Sequence, residues 1–304
     1  MQVNDVKYTA PAFADANGIR ICYDSFGDPA NAPLVLIMGL AAQMILWEED
    51  FCKQLAAHGF WVVRFDNRDI GLSTKFGSRR TPSKPEMLLT ALSPKLSRPP
   101  YKLLDMAKDT VGLMDALSIG SAHVVGVSMG GAIAQELAIH FPKRVRTLTS
   151  IMSSTGNPKL PRPNPEALAV LTKRAPAHRE AYLEQYAATW ATLAGEYYPF
   201  NKVRTLQQGA ASFERGINPP GVARQLLAII ASGNRSKALG SVRLPALVIH
   251  GSLDPLVPVE GGRDTARVIP GAKLLVIDGM DHTLPREVWP QIIGAIEQHA
   301  RSRP

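Results

Sequence analysis

Apolar, β-branched runs alternate with helix-period segments along the first half of the chain. Strands are predicted at 19–26, 34–38, 60–65, 122–127 and 145–152, where Val, Ile, Leu and Phe crowd into short blocks. Helical periodicity fills the gaps at 47–58, 104–117 and 129–141, and these segments meet their stop signals at Gly59, Gly120 and Pro142. Such alternation predicts an α/β protein: a mostly parallel sheet with helices on both faces. From 155 to 240 the strand signal vanishes, and eight prolines punctuate helical stretches such as 179–194 and 222–231. Strands return at 246–250 and 273–278, separated by a helix at 260–269, and the amphipathic segment 286–301 closes the chain. Neither strand-bearing part has enough strands to bury a sheet face alone. The expectation is one core domain built from 1–154 and 241–304, with 155–240 inserted as a helical cap.

The sharpest chemical signal is Gly126-Val127-Ser128-Met129-Gly130, followed at once by Gly131. A bare G-x-S-x-G pattern is weak, but this one follows a predicted strand and opens a predicted helix. That is the strand–turn–helix setting of a nucleophile elbow, where glycines two positions either side of the serine relieve a tight turn. A phosphate-binding turn would need spacings that are absent here. Serine is a poor nucleophile at neutral pH, so a base must take its proton. Of the seven histidines, His58, His140 and His299 sit near helix ends, His123 begins the nucleophile strand, His178 falls in the cap, and His250 ends a strand. His282 lies in a loop after the last strand, the best position for a base. Asp254 follows an apolar strand and precedes His282 by 28 residues, so it is the candidate acid to orient the imidazole; Asp278 and Asp281 are runners-up. The position after the 145–152 strand offers only Ser153, Ser154 and Thr155. Two N–H donors are needed for the oxyanion. They are expected from Met129, directly after the nucleophile, and from Leu40 in the Met38-Gly39-Leu40 turn.

The order Ser128, Asp254, His282, the Met-Gly turn and the run Arg64-Phe65-Asp66-Asn67-Arg68-Asp69-Ile70-Gly71-Leu72-Ser73 together resemble the α/β-hydrolase superfamily. The likeness spans nearly the whole chain outside the cap. Within the superfamily, the Asp-x-Arg-Asp-x-Gly-x-Ser run and the elbow resemble bacterial carboxylesterases of the aclacinomycin methylesterase-like group. One departure is Met38, which stands where many relatives carry His. The resemblance implies an eight-stranded sheet and a serine esterase that cleaves small or medium acyl esters through an acyl-enzyme. It implies no cofactor and no metal, and a small-molecule partner for a monomer or homodimer. The same triad also serves cofactor-free perhydrolases or haloperoxidases, thioesterases and lyases, and the shell can serve a receptor-like binder. Relatives that act as dehalogenases or epoxide hydrolases carry Asp at the elbow, so Ser128 argues against those chemistries. Asp66 and Arg68 read as a structural pair bracing the loop beside the site. For the substrate pocket the candidates are Gly39, Met38, Met44, Trp190, Tyr197, Tyr198, Phe200 and Leu256. The aromatic members lie in eleven cap residues, and either a pocket wall or the cap's own small core accounts for them.

Composition narrows the partners. The chain has 304 residues with 34 Lys+Arg against 26 Asp+Glu, a formal charge of +8. The stretch 75–102 holds seven of the basic residues against Glu86 alone, so most of the excess belongs to one proline-rich segment, expected as a long loop on the site's side of the sheet. It lacks the interleaved aromatics of a nucleic-acid platform, which excludes that class of partner. The longest apolar run, 34–42, is too short to span a bilayer. The first residues show no secretory pattern, so a cytoplasmic location is expected. Cys22 and Cys52 have neither disulfide-scaffold nor metal-ligand spacing and read as small buried hydrophobes.

Overall fold

Eight strands are seen in the computed structural model, which describes residues 3–93 and 98–302. They are β1 (Tyr8–Ala16), β2 (Ile19–Phe26), β3 (Ala32–Ile37), β4 (Phe60–Phe65), β5 (Ala122–Val127), β6 (Val145–Ile151), β7 (Ala246–Gly251) and β8 (Lys273–Ile277). The helices are α1 (Glu49–Ala57), α2 (Lys84–Leu92), α3 (Leu103–Ala116), α4 (Met129–His140), α5 (Pro165–Thr172), α6 (Arg179–Ala194), α7 (Lys202–Glu214), α8 (Pro219–Ser232), α9 (Ser236–Leu239), α10 (Glu260–Val268) and α11 (Trp289–Arg301). All strands join one sheet in the order β1-β2-β4-β3-β5-β6-β7-β8. The β1–β2 and β2–β4 pairs are antiparallel, and every other pair is parallel.

The period of two along the central strands sets the layers. On β3, Val35 and Ile37 face a core completed by α3 and α4, with Leu113, Ile133 and Leu137. Its alternate residues, Leu34 and Leu36, face a second core with Phe51 and Leu55 of α1 and Ile292, Ile293 and Ile296 of α11. Strands buried on both faces cannot show a polar alternation, which is why they read as continuous apolar runs. β1 escapes the sequence pattern because it is an edge strand with mostly exposed side chains and a proline at 11. Its register with β2 shifts between Thr9 and Ala12, and this bulge accommodates Pro11 outside the hydrogen-bond ladder.

The basic stretch is not wholly a loop. Ser83 accepts a hydrogen bond from the Glu86 N–H and a proline occupies the first turn, so α2 forms despite the surrounding prolines. Pro94 and Lys95 of that stretch lie outside the described residues. Both cysteines are free and buried, and burial pushes the Cys52 thiol up to about 12. No helix among the described residues is long and apolar enough to cross a membrane.

Asp66 and Arg68 do not pair with each other. They sit on a tight loop after β4 and diverge: Asp66 meets Arg215 just beyond α7, while Arg68 makes a two-pronged pair with Asp109 of α3, both contacts at 2.6 Å. Two further pairs run alongside, Arg64 with Asp24 (2.7 and 2.8 Å) and Asp69 with Arg224 of α8 (2.7 and 2.9 Å). Asp69 also accepts from Tyr101 Oη (2.7 Å) and the Phe76 N–H (2.9 Å). Burial alone would raise the Asp69 carboxyl, but the guanidinium and these donors hold it below its usual range. Its ionised form is therefore the one the fold favours. The pair's contribution is complete above about pH 4 and lost as pH falls through the lowered value. Arg224→Met, which strands Asp69 in the interior, is expected to lower the unfolding free energy by about 3–5 kcal/mol in denaturant titrations at pH 7. A change within about 0.5 kcal/mol, the range of ordinary surface substitutions, would show the pair to be energetically idle.

Candidate active site

Ser128 ends β5 and begins α4 with φ 55° and ψ −120°, a conformation that side chains other than glycine rarely adopt. Its N–H is anchored to the Ile151 carbonyl of β6 at 2.8 Å. The turn closes because its neighbours carry no side chain: a Cβ on Gly126 would stand 2.1 Å from the Gly130 oxygen, and one on Gly130 would stand 2.1 Å from the Ile37 oxygen. The serine is thereby raised above the C-terminal edge of the sheet.

His282, in the loop after β8, brings Nε2 to 3.1 Å from Ser128 Oγ and Nδ1 to 2.7 Å from Asp254 Oδ2. The other oxygen of Asp254 accepts from the N–H groups of Leu256 (2.9 Å) and Val257 (2.8 Å). His250 stands 3.5 Å from Asp254 Oδ2 and directs the same nitrogen, Nε2, at the Val257 carbonyl (2.7 Å), so it packs beneath the acid. Burial pushes the Asp254 carboxyl up, but His282 and the hydrogen bonds pull harder and hold it well below the usual range. Asp254 thus stays ionised wherever the fold persists at neutral pH. Asp281, a runner-up for the acid, is buried and contacts Thr283 Oγ1 at 2.6 Å, while its Oδ2 has no partner among the described residues. Asp278 accepts from Ser252 Oγ instead (3.0 Å).

The 38–42 turn passes directly beside the serine, since a Cβ on Gly39 would lie 3.2 Å from Ser128 Cβ. It is pinned at both ends: Asn67 Nδ2 donates to the Met38 carbonyl (2.9 Å), and the Ala41 N–H donates to Gln225 Oε1 of α8 (3.2 Å). Met129 supplies the first amide of α4, one of the N–H groups that a helix leaves without an internal partner. Leu40, Met129, Ser128 and His282 all open onto one cavity of about 1250 Å³.

Of the predicted pocket residues, the structure brings Met38, Gly39, Trp190, Tyr198, Phe200 and Leu256 to this cavity. It does not bring Met44, which is fully buried outside it, or Tyr197, which is 61% exposed and packs its ring against Gly279. Sequence reasoning missed Tyr182 and Tyr186, which join Trp190 on the cavity wall with successive ring centroids 5.7 and 6.0 Å apart. Their i, i+4, i+8 spacing on α6 was the available signal. No cluster of three or more His, Cys, Asp or Glu side chains suited to a metal ion occurs among the described residues.

The chain as a whole has relatives among known proteins. The family model of the alpha/beta hydrolase fold matches residues 32–285. The chain is 30% identical over 305 aligned residues to the rhodomycin D methylesterase DauP of Streptomyces sp. (strain C5), covering 93% of this chain and 96% of the relative. The rhodomycin D methylesterase DnrP of Streptomyces peucetius matches with the same identity and coverage. In structure the chain is similar to the 2-hydroxy-6-oxo-6-phenylhexa-2,4-dienoate hydrolase of Rhodococcus sp. strain RHA1, with a TM-score of 0.76 and 22% identity over 98% of this chain and 100% of that one. At that identity the likeness speaks to fold alone.

Burial, reinforced by the Asp254 charge, pushes the Asp281 carboxyl up to about 6 against the hydrogen bonds from Thr283. The folded state therefore prefers the protonated acid, and stability falls as pH rises from about 4, its ordinary range, through about 6. Asp281→Asn is expected to be more stable than the parent by about 2 kcal/mol at pH 8, with the difference closing by about pH 4 in paired melts. An equal difference at both pH values would contradict this account.

Proposed function

Since the chain belongs to the α/β-hydrolase fold family, we propose that it is a serine hydrolase of carboxylic esters. One observation carries the reading: a single imidazole, His282, joins a serine held at positive φ to a buried, ionised carboxylate. In the first half-reaction Ser128 Oγ attacks the ester carbonyl as His282 Nε2 takes its proton. Asp254 accepts the Nδ1–H, fixes the tautomer and stabilises the imidazolium. Negative charge develops on the former carbonyl oxygen beside the N–H groups of Leu40 and Met129, which act as the oxyanion hole. Collapse expels the alcohol with the proton returned by His282. In the second half-reaction His282 activates water, which cleaves the acyl-Ser128 ester and releases the acid.

Residues 155–240 act in this reading as a cap over a core made of 1–154 and 241–304. α6 and α7, with the chain between them, supply much of the cavity wall, and three tethers support the assignment: Asp69–Arg224, Asp66–Arg215 and Ala41–Gln225. A cavity of about 1250 Å³ exceeds what a short ester fills, so an ester with a bulky acid or alcohol part fits it better than acetate-sized substrates do. The named activity of the Streptomyces relatives, a methylesterase, agrees with this and suggests a small leaving alcohol and a large acid.

Ser128→Ala is expected to lower turnover of a p-nitrophenyl ester by at least about 10³-fold and to abolish labelling by a fluorophosphonate probe. Asp254→Asn is expected to lower kcat by about 10⁴-fold with little change in KM, because the imidazole is left in the wrong tautomer. Full turnover by the pure Ser128→Ala protein would sink the assignment.

A further inference from the structure

Arginines drawn into this protein's interior meet carboxylates: Arg64 with Asp24, Arg68 with Asp109, Arg215 with Asp66 and Arg224 with Asp69. Arg235, only 7% exposed, does not. Its Nε donates to Gln135 Oε1 (3.1 Å), its Nη1 to the Gly233 carbonyl (3.2 Å) and its Nη2 to the Ser154 carbonyl (2.8 Å), all neutral acceptors. It has no ion-pair partner among the described residues. Glu136 attracts it from beyond ion-pair range and is itself engaged with His140 at 3.2 Å. Three bonds leave part of the five-donor guanidinium fork unused. Arg235 lines the active-site cavity together with Ser154 and Gly156, and Gly156 puts no side chain beside Nη1.

A buried guanidinium with neutral neighbours, spare donors and an opening onto a cavity is a ready partner for an anion. We infer that Arg235 forms an anion-recognition subsite and that the preferred ligands carry a carboxylate remote from the ester they present to Ser128. Arg235 and Ser128 line the same cavity, so a ligand seated there can present its ester to the serine and a carboxylate to the guanidinium. The ligand class is therefore an ester with a free carboxylate remote from the bond presented to Ser128, of which the half-ester of a dicarboxylic acid is the simplest case. The basic segment 75–102 would favour approach of the same anions.

The inference rests on the ester-hydrolase reading only in naming the ligand an ester, so binding tests it without turnover. Calorimetry on the Ser128→Ala protein would compare monomethyl suberate, an anion at pH 7, with dimethyl suberate, its neutral counterpart. At least about tenfold tighter binding of the anion is expected, with the preference removed by adding Arg235→Gln and reduced but retained by adding Arg235→Lys. Equal binding of the two esters overturns the inference whatever the variants do. So does a preference that Arg235→Gln leaves intact, or a loss of affinity for both esters alike, which is the mark of a merely structural arginine. Should Arg235→Gln fail to fold, Arg235→Lys decides: an unchanged preference overturns the inference, and a several-fold reduction supports it. Hydrolysis of dimethyl suberate by the unmodified protein tests the esterase reading separately. Charge-selective binding without hydrolysis would sink only that reading, and hydrolysis without charge-selective binding would sink only this one.

Discussion

The contact on which the site depends is between bare backbones. The first turn of α4 lies so close to the ends of β3 and β5 that a single added carbon at Gly126 or Gly130 would fall 2.1 Å from a carbonyl oxygen. This approach forces the chain to reverse within one residue, and Ser128 absorbs the reversal by taking a positive φ. Such a conformation costs of order 1–3 kcal/mol and persists only where the surroundings determine it. The sheet does so here by clamping Ser128 to Ile151 and by laying the Gly39 turn against its Cβ. The position of Ser128, the nearness of the Gly39 turn and the start of α4 thus follow from one packing constraint.

Around this rigid centre the protein spends its buried charges on connection. The loop after β4 sends Arg68 back to α3, while Asp66 and Asp69 reach outward to Arg215 and Arg224. The latter two contacts tie helices that line the cavity to the sheet that carries the serine. Ion pairs of this kind gain little net free energy over apolar packing, because both partners must be desolvated. Their value is directional: a guanidinium fork donates to a carboxylate in one geometry, which fixes how these helices sit against the sheet. Against that pattern Arg235 stands out as a cation placed on the cavity wall with the charge left to be met by a ligand.

Aromatic side chains of α6 pack against one another and line the cavity with the same surface. Tyr182, Tyr186 and Trp190 stack along α6 and, with Phe213 against Tyr182 (5.2 Å between centroids), make a small core of their own. Tyr182, Tyr186 and Trp190 also line the cavity onto which Ser128 opens.

Much of this was legible in the chain. Central strands buried on both faces appear as apolar runs, an elbow appears as glycines at fixed offsets from a serine, and Asp254 and His282 appear at the ends of the two last strands, where the parallel sheet must expose them. These are local signals, because each is set by what a short segment can pack against. Other features were not legible. β1 hid because an edge strand is largely exposed and tolerates Pro11, and α2 hid because prolines elsewhere in 75–102 masked one well-placed at its first turn. The partners of Asp66, Arg68 and Arg235 lie 149, 41 and 100 residues away, and a lone charge in sequence carries no mark of the group it will meet. Sequence therefore determined the sheet, the sharp turn at Ser128 and the order of Ser128, Asp254 and His282 along the chain. Tertiary structure alone decided which charges are paired, which walls the cavity has and where a cation is left uncompensated, since those depend on distances that close only when remote segments pack.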